Sequence, residues 1–213
     1  MNDMMQPRDQ RIEEVESRIR LAYEAGNFEG AATEAIQGYG PEILGFLANL
    51  LQDHEEASEA FAHACEDMWA GIEGFQWRCR FRTWVFAVAR RAYQRYLSRE
   101  RRWRYRRLSE VTEPQVLANK VRTATSPYLR TENKTRLSEL RCQLSEPEQT
   151  LLILRVDRNL PWKDLARVMS GPDRNLDETT LVRHSATYRK QFERAKARLR
   201  RLATEAGLLD VPA

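Results

Sequence analysis

The chain has 213 residues, 42% of them hydrophobic and 31% charged, with a formal net charge of +4, which suits one ordinary domain or two small ones and excludes a disordered chain. No apolar run approaches the roughly 18 residues of a membrane span, and the opening MNDMMQPRDQ has no charged-then-apolar export signal, so a cytoplasmic protein without membrane contact is expected. Cys65, Cys79 and Cys142 show neither CxxC nor Cys/His spacing, which argues against a disulfide framework and a zinc site.

Gly and Pro are scarce and strand signals are nearly absent, so an all-α fold is expected. Ile12, Val15, Ile19 and Ala22 share one face of a helix over residues 11–24. A second helix runs from Phe28 to about Tyr39, where Gly40 and Pro41 break it before Ile43, Leu44, Leu47, Leu50 and Leu51 restart the pattern. Asp53 is the expected N-cap of a helix reaching about Ile72, with Glu55 and Glu56 in its first turn. Phe61, Met68 and Trp69 read as core positions of that helix.

A short loop, FQWRCR, precedes a long helix from Phe81 to about Arg107. Phe81, Trp84, Val85, Val88 and Ala92 form its buried stripe, and Arg90 and Gln94 project the opposite way. Residues 108–135 hold two prolines and weak periodicity, which marks a linker with at most a short helix near Val116 to Val121. A helix over Arg136 to Gln143 follows, and then Ser145 and Glu148 match a capping box with Pro147 in the first turn. Trp162, Leu165, Ala166 and Met169 form one further stripe, and Tyr188, Phe192, Ala195 and Leu199 another. Helix, helix, turn and basic helix is the order of a helix-turn-helix module.

Charge is segregated along the chain. Residues 21–77 contain eleven Asp or Glu and no Lys or Arg, whereas residues 78–107 contain twelve Arg and one Glu. Separated blocks of this kind imply two surfaces for differently charged partners. In ARRAYQRYLSRERRWRYRR, residues 89–107, arginines suit phosphates and the Tyr and Trp rings suit unstacked bases.

EAGNFEGAATEAIQGYGPEILGFLANLLQDHEEASEAFAHACEDMWAGIEGF resembles region 2 of the extracytoplasmic function (ECF) sigma factors of bacterial RNA polymerase, acidic helix and closing Trp included. FRTWVFAVARRAYQRYL is similar to that region's promoter-reading helix, with its Phe, Trp, Ala-Arg pair and basic tail. LSEPEQTLLILRVDRNLPWKDLARVM and SATYRKQFERAKARLRRL resemble region 4. The likeness covers roughly residues 20–107 and 136–203. It implies two small helical domains, a region 2-like bundle over 8–107 and a region 4-like module over 136–207, joined by the 108–135 linker.

The resemblance also implies partners. Core RNA polymerase would be met through its β subunit and through the β′ clamp coiled coil, the latter docking on Asp53, Glu55, Glu56, Glu59, Glu66 and Asp67. Promoter DNA would be met at the minus-ten element by Trp77, Arg78, Arg80, Arg90, Arg91, Gln94 and Arg95. The loop of Gln76, Trp77, Arg78, Cys79 and Arg80 would capture a flipped base, and Thr187, Arg189, Lys190 and Arg194 would meet the minus-thirty-five element. Many relatives are held inactive by an anti-sigma protein, and nothing in the sequence identifies one.

Two departures stand out. Many members have Asn where Arg91 stands, and Gly or Ser where Arg78 and Cys79 stand, so base preference does not carry over. The family's tight helix-turn-helix turn is replaced by Met169 to Ser185, either an insertion or a last helix starting early, near Asp177.

The expected function is therefore that of an alternative sigma transcription initiation factor, with no cofactor and no enzymatic chemistry. His63 and Asp67, one helical turn apart, read as a surface contact, and there is no glycine-rich phosphate loop or nucleophile constellation. The alternative is a stand-alone helix-turn-helix regulator that never binds polymerase, which leaves the arginine-free block without a role.

Overall fold

The computed structural model describes residues 7–100, 113–132 and 136–209, and all regular structure among them is helical. Helix α1, Pro7–Glu24, buries Ile12, Val15 and Ile19 as its spacing predicts. It packs on α2, Phe28–Leu51, which Asn27 caps by accepting the Gly30 N–H. The expected break at Gly40 and Pro41 does not occur: α2 is continuous, with Pro41 inside it. Burial of Ile36, Tyr39, Ile43, Leu44 and Leu47 along one helix outweighs the hydrogen bond that proline removes.

Gly40 has a different use. A Cβ there would lie 2.9 Å from the Val121 side chain, so the missing side chain lets another helix approach closely. That helix is α5, Glu113–Glu132, which packs on α2 and on α3, His54–Gly71. The short helix expected near Val116 to Val121 is thus 20 residues long. Leu117, Ala118 and Val121 form its buried face, and Pro114 sits in its first turn where no N–H is needed.

Asp53 caps α3 as read from the sequence, its carboxylate accepting from the N–H groups of Glu55 and Glu56 at 2.8 and 2.9 Å. Helix α4, Phe81–Glu100, is capped from outside its own segment. The Glu16 carboxylate on α1 accepts the Phe81 and Arg82 N–H groups at 2.9 and 2.8 Å, and also the Tyr39 hydroxyl at 2.8 Å. The extension of this helix to Arg107 lies outside the described residues.

The remaining helices are α6, Arg136–Arg141, and α7, Glu146–Leu152, which continues into a π-helical turn, Ile153–Asp157, then α8, Trp162–Ser170, and α9, Glu178–Glu205. Glu148 closes the expected capping box by accepting from the Ser145 N–H and hydroxyl at 2.8 and 2.7 Å. Of the two readings of residues 169–185, the early helix start holds. Asp177 caps α9 by accepting the Thr180 N–H, and the connection is residues 171–177, opening on Gly171 at φ +98°.

One contiguous hydrophobic cluster runs from Val15 and Ile19 through α2, α3 and α4 to Leu151, Leu154, Leu165 and Phe192. Helix α4 lies between the two groups of helices, with α1, α2 and α3 on one side and α8 on the other.

Candidate nucleic-acid interface

Every residue of α4 from Phe81 to Arg90 is buried. The stripe of Phe81, Trp84, Val85, Val88 and Ala92 faces the core as expected. The opposite face is covered as well, because α8 packs across it. The signal was in the sequence: Phe86, Ala87, Ala89 and Tyr93 make this helix apolar nearly all round, the mark of a helix covered on several sides.

Arg90 points away from the Phe81, Trp84 and Val88 stripe as read from the sequence, but other helices cover it there, so the DNA-facing position expected of it is buried within the chain. Arg90 is 8% exposed, reaches both Glu146 carboxylate oxygens at 3.1 and 3.2 Å, and donates to the Met169 carbonyl at 3.3 Å. Burial and the Glu146 carboxylate push the neighbouring Tyr93 hydroxyl up to about 12, with Arg90 opposing. Arg91, half-buried, pairs with Asp173, and exposed Arg95 pairs with Asp67. Gln94 is exposed, and turned about its amide it accepts from Arg90.

The loop before α4 is also more occupied than its composition suggests. Trp77 adopts φ +54° and packs edge-on against Tyr23 and Phe75, at 5.4 and 5.1 Å between ring centroids, under the Arg20 guanidinium. Arg80 pairs with Glu13, and burial pushes the Cys79 thiol up to about 11. Gln76 and Arg78 are exposed.

The acidic helix divides in two. Glu55 and Glu59 are exposed one turn apart, Asp53 is engaged as the cap, and Glu56 is half-buried. Glu66 accepts from Gln115 of α5 at 2.8 Å and contacts His63, while Asp67 is held by Arg95. The two charge blocks thus meet inside the chain at Asp67 with Arg95 and at Glu42 with Arg82, correcting the reading of two wholly separate charged surfaces.

Helix α9 keeps its basic face open. Trp162 packs edge-on against Phe192, and the Ser185 hydroxyl donates to the Trp162 carbonyl at 3.2 Å, which fixes α8 against α9. Arg189 lies over the Trp162 ring at 5.3 Å and is exposed. Lys190 and Arg194 are exposed and form no ion pair among the described residues. Thr187 is exposed, with its hydroxyl donated to the Arg183 carbonyl. A long helix with consecutive basic turns on its outer side is suited to phosphates and major-groove base edges.

A polar contact missed by sequence reading joins α4 to α8. The Thr83 side chain lies close enough to the Asp164 carboxylate to lower its pKa. Burial raises this carboxyl above its ordinary value, against the lowering effects of Thr83, Arg167, Arg80 and Arg82. A carboxyl raised by folding contributes stability that is complete below its unfolded value and is lost as pH rises through the folded one. Asp164→Asn keeps an acceptor for Thr83 and should raise Tm near neutrality. The gain over wild type should shrink as pH falls through the raised value, and an equal gain at all pH would refute the burial cause.

Residues 35–103 match sigma-70 region 2. The match spans α3, the aromatic loop and α4 together with most of α2, and it supports a sigma-70-type factor with a role in promoter recognition and transcription initiation. Sigma factors act by binding core RNA polymerase and promoter DNA, and they are not an enzyme family. No curated protein matches the chain. Among the described residues, no group of three or more His, Cys, Asp or Glu side chains could hold a metal ion, and no helix is long and apolar enough to cross a membrane.

Proposed function

We propose that the protein is an ECF-type initiation factor in the cytoplasm that binds core RNA polymerase, directs it to a class of promoters and adds no covalent chemistry. The region 2 match over residues 35–103 carries this reading. Residues 8–107 serve polymerase docking and the minus-ten element, and residues 136–207 serve the minus-thirty-five element through α9. The 108–135 segment connects them with α5 held on the first group. The exposed acidic surface at the start of α3 supports docking on the β′ coiled coil, with Glu55 and Glu59 its outermost charges. On α9, the exposed side chains of Arg189, Lys190 and Arg194 support duplex binding.

Reversal of Glu55 and Glu59 to Lys is expected to weaken association with core polymerase about tenfold at low salt, with the difference fading as salt screens the contact. Co-sedimentation of the full chain with core enzyme over a salt series measures it. Unchanged association at every salt would overturn the acidic docking surface. Duplex promoter binding with no affinity for core enzyme would instead favour a stand-alone regulator.

A further inference from the structure

Helix α1 lies outside the matched residues 35–103 and carries a second stripe beside its buried Ile12, Val15 and Ile19. Glu13, Glu16, Arg20 and Tyr23 recur at three- and four-residue spacing, so they line one face of the helix. All four reach residues 73–82. At the entry to the loop, the Tyr23 hydroxyl stands 3.0 and 2.9 Å from the carbonyl oxygens of Glu73 and Phe75 and donates to them. At the exit, Glu13 pairs with Arg80, and Glu16 accepts the Phe81 and Arg82 N–H groups. Residues 76–79 span the gap between these two anchors, with Gln76 and Arg78 exposed and Trp77 half-buried.

Trp77 is the strained point of that span. Its φ of +54° is a left-handed conformation that bulky side chains rarely adopt, and one that persists only where the surroundings over-determine it. Tyr23 packs edge-on against the Trp77 ring at 5.4 Å, and the Arg20 guanidinium lies over that ring at 5.1 Å, both from α1. Phe at position 23 would make the same ring contact. The hydroxyl adds only the hold on two loop carbonyls, one of them two residues before Trp77.

We propose that Tyr23 is a positioning residue for strand capture: α1 splints the loop before α4 into one shape, and the Tyr23 hydroxyl keeps Trp77 placed to stack on an unpaired base. The inference rests on the promoter-binding reading of that loop. A loop already in its binding shape pays less ordering cost when the strand arrives. One that populates the shape only in part binds more weakly by that fraction.

The test uses the full chain in complex with core polymerase. Fluorescence anisotropy reads binding of a labelled mixed-sequence single strand and of an abasic strand of equal length. Tyr23→Phe should bind the base-bearing strand about fivefold more weakly, as the capture-ready loop falls to about a fifth of the population, and should bind the abasic strand as wild type does. Trp77→Ala should lose at least as much on the base-bearing strand. Tyr23→Phe added to Trp77→Ala should cost nothing further, because a residue that acts through another has no effect in its absence. Wild-type affinity in Tyr23→Phe beside a loss in Trp77→Ala would overturn the positioning role and leave the promoter reading of the loop standing. Equal losses on both strands, or a further loss in the double variant, would reduce Tyr23 to a residue of the fold and overturn the inference as well. Full affinity in Trp77→Ala would overturn the loop's part in strand capture, and the role of Tyr23 with it.

Discussion

Arg82→Ala is expected to remove about 3 kcal/mol of stability, the lower end for breaking a buried ion pair, and to lower Tm by about 10 °C for a chain of this size. Arg82 belongs by sequence to the arginine-rich block, yet its side chain is 8% exposed. It donates twice to Glu42 on α2, at 2.9 and 2.7 Å, and once to the Arg158 carbonyl beyond the π-helical turn, at 2.9 Å. Its guanidinium also lies over the Phe86 ring at 5.3 Å. Removal leaves a partly buried carboxylate and a carbonyl without their donor, a loss only softened by Arg8, which stands 3.7 Å from Glu42. Arg82→Lys should recover part of the loss, since a single ammonium cannot reach both acceptors. A thermal midpoint within about 2 °C of wild type would show that the pair contributes little, as exposed pairs do.

The second large effect is expected at α9. Arg189→Ala combined with Arg194→Ala should weaken binding to duplex promoter DNA between about tenfold and a hundredfold and lower the salt slope by about two, one for each phosphate that is no longer neutralised. Both side chains are exposed, so the fold should survive; the main structural cost is the removal of Arg189 from the Trp162 ring, worth roughly 0.5–1 kcal/mol at an exposed site. Association with core polymerase should stay at the wild-type level, because α3 is untouched. Equal losses of DNA binding and core binding would mean that the double change acts through folding, and unaltered DNA binding would remove α9 from the interface.

These two arginine sets show how far composition reads. A run of arginines marks a basic segment, and on α9 the basic positions do lie on the outer side, because Phe192 and Ala195 occupy the inner one at helical spacing. On α4 the same reasoning gives the direction of Arg90 but not its burial. Its position opposite the Phe81, Trp84 and Val88 stripe predicts exposure only if nothing packs on that side, and α8 does.

Local signals settled the helical class, the Asp53 cap, the Ser145 and Glu148 capping box and the core stripes, since each depends on side chains within a turn or two of one another. Gly40 and Pro41 misled because the same residues that end a helix locally also let two helices touch; the Val121 side chain that gives Gly40 its purpose comes from 81 residues further along. Only the tertiary structure placed Glu16 beneath the first turn of α4, Glu146 and Asp173 against its arginines, and Asp164 beside Thr83. Partners so distant in the chain leave no periodicity to read, because Coulombic and hydrogen-bond contacts between elements depend on how those elements pack, and packing is a property of the whole core.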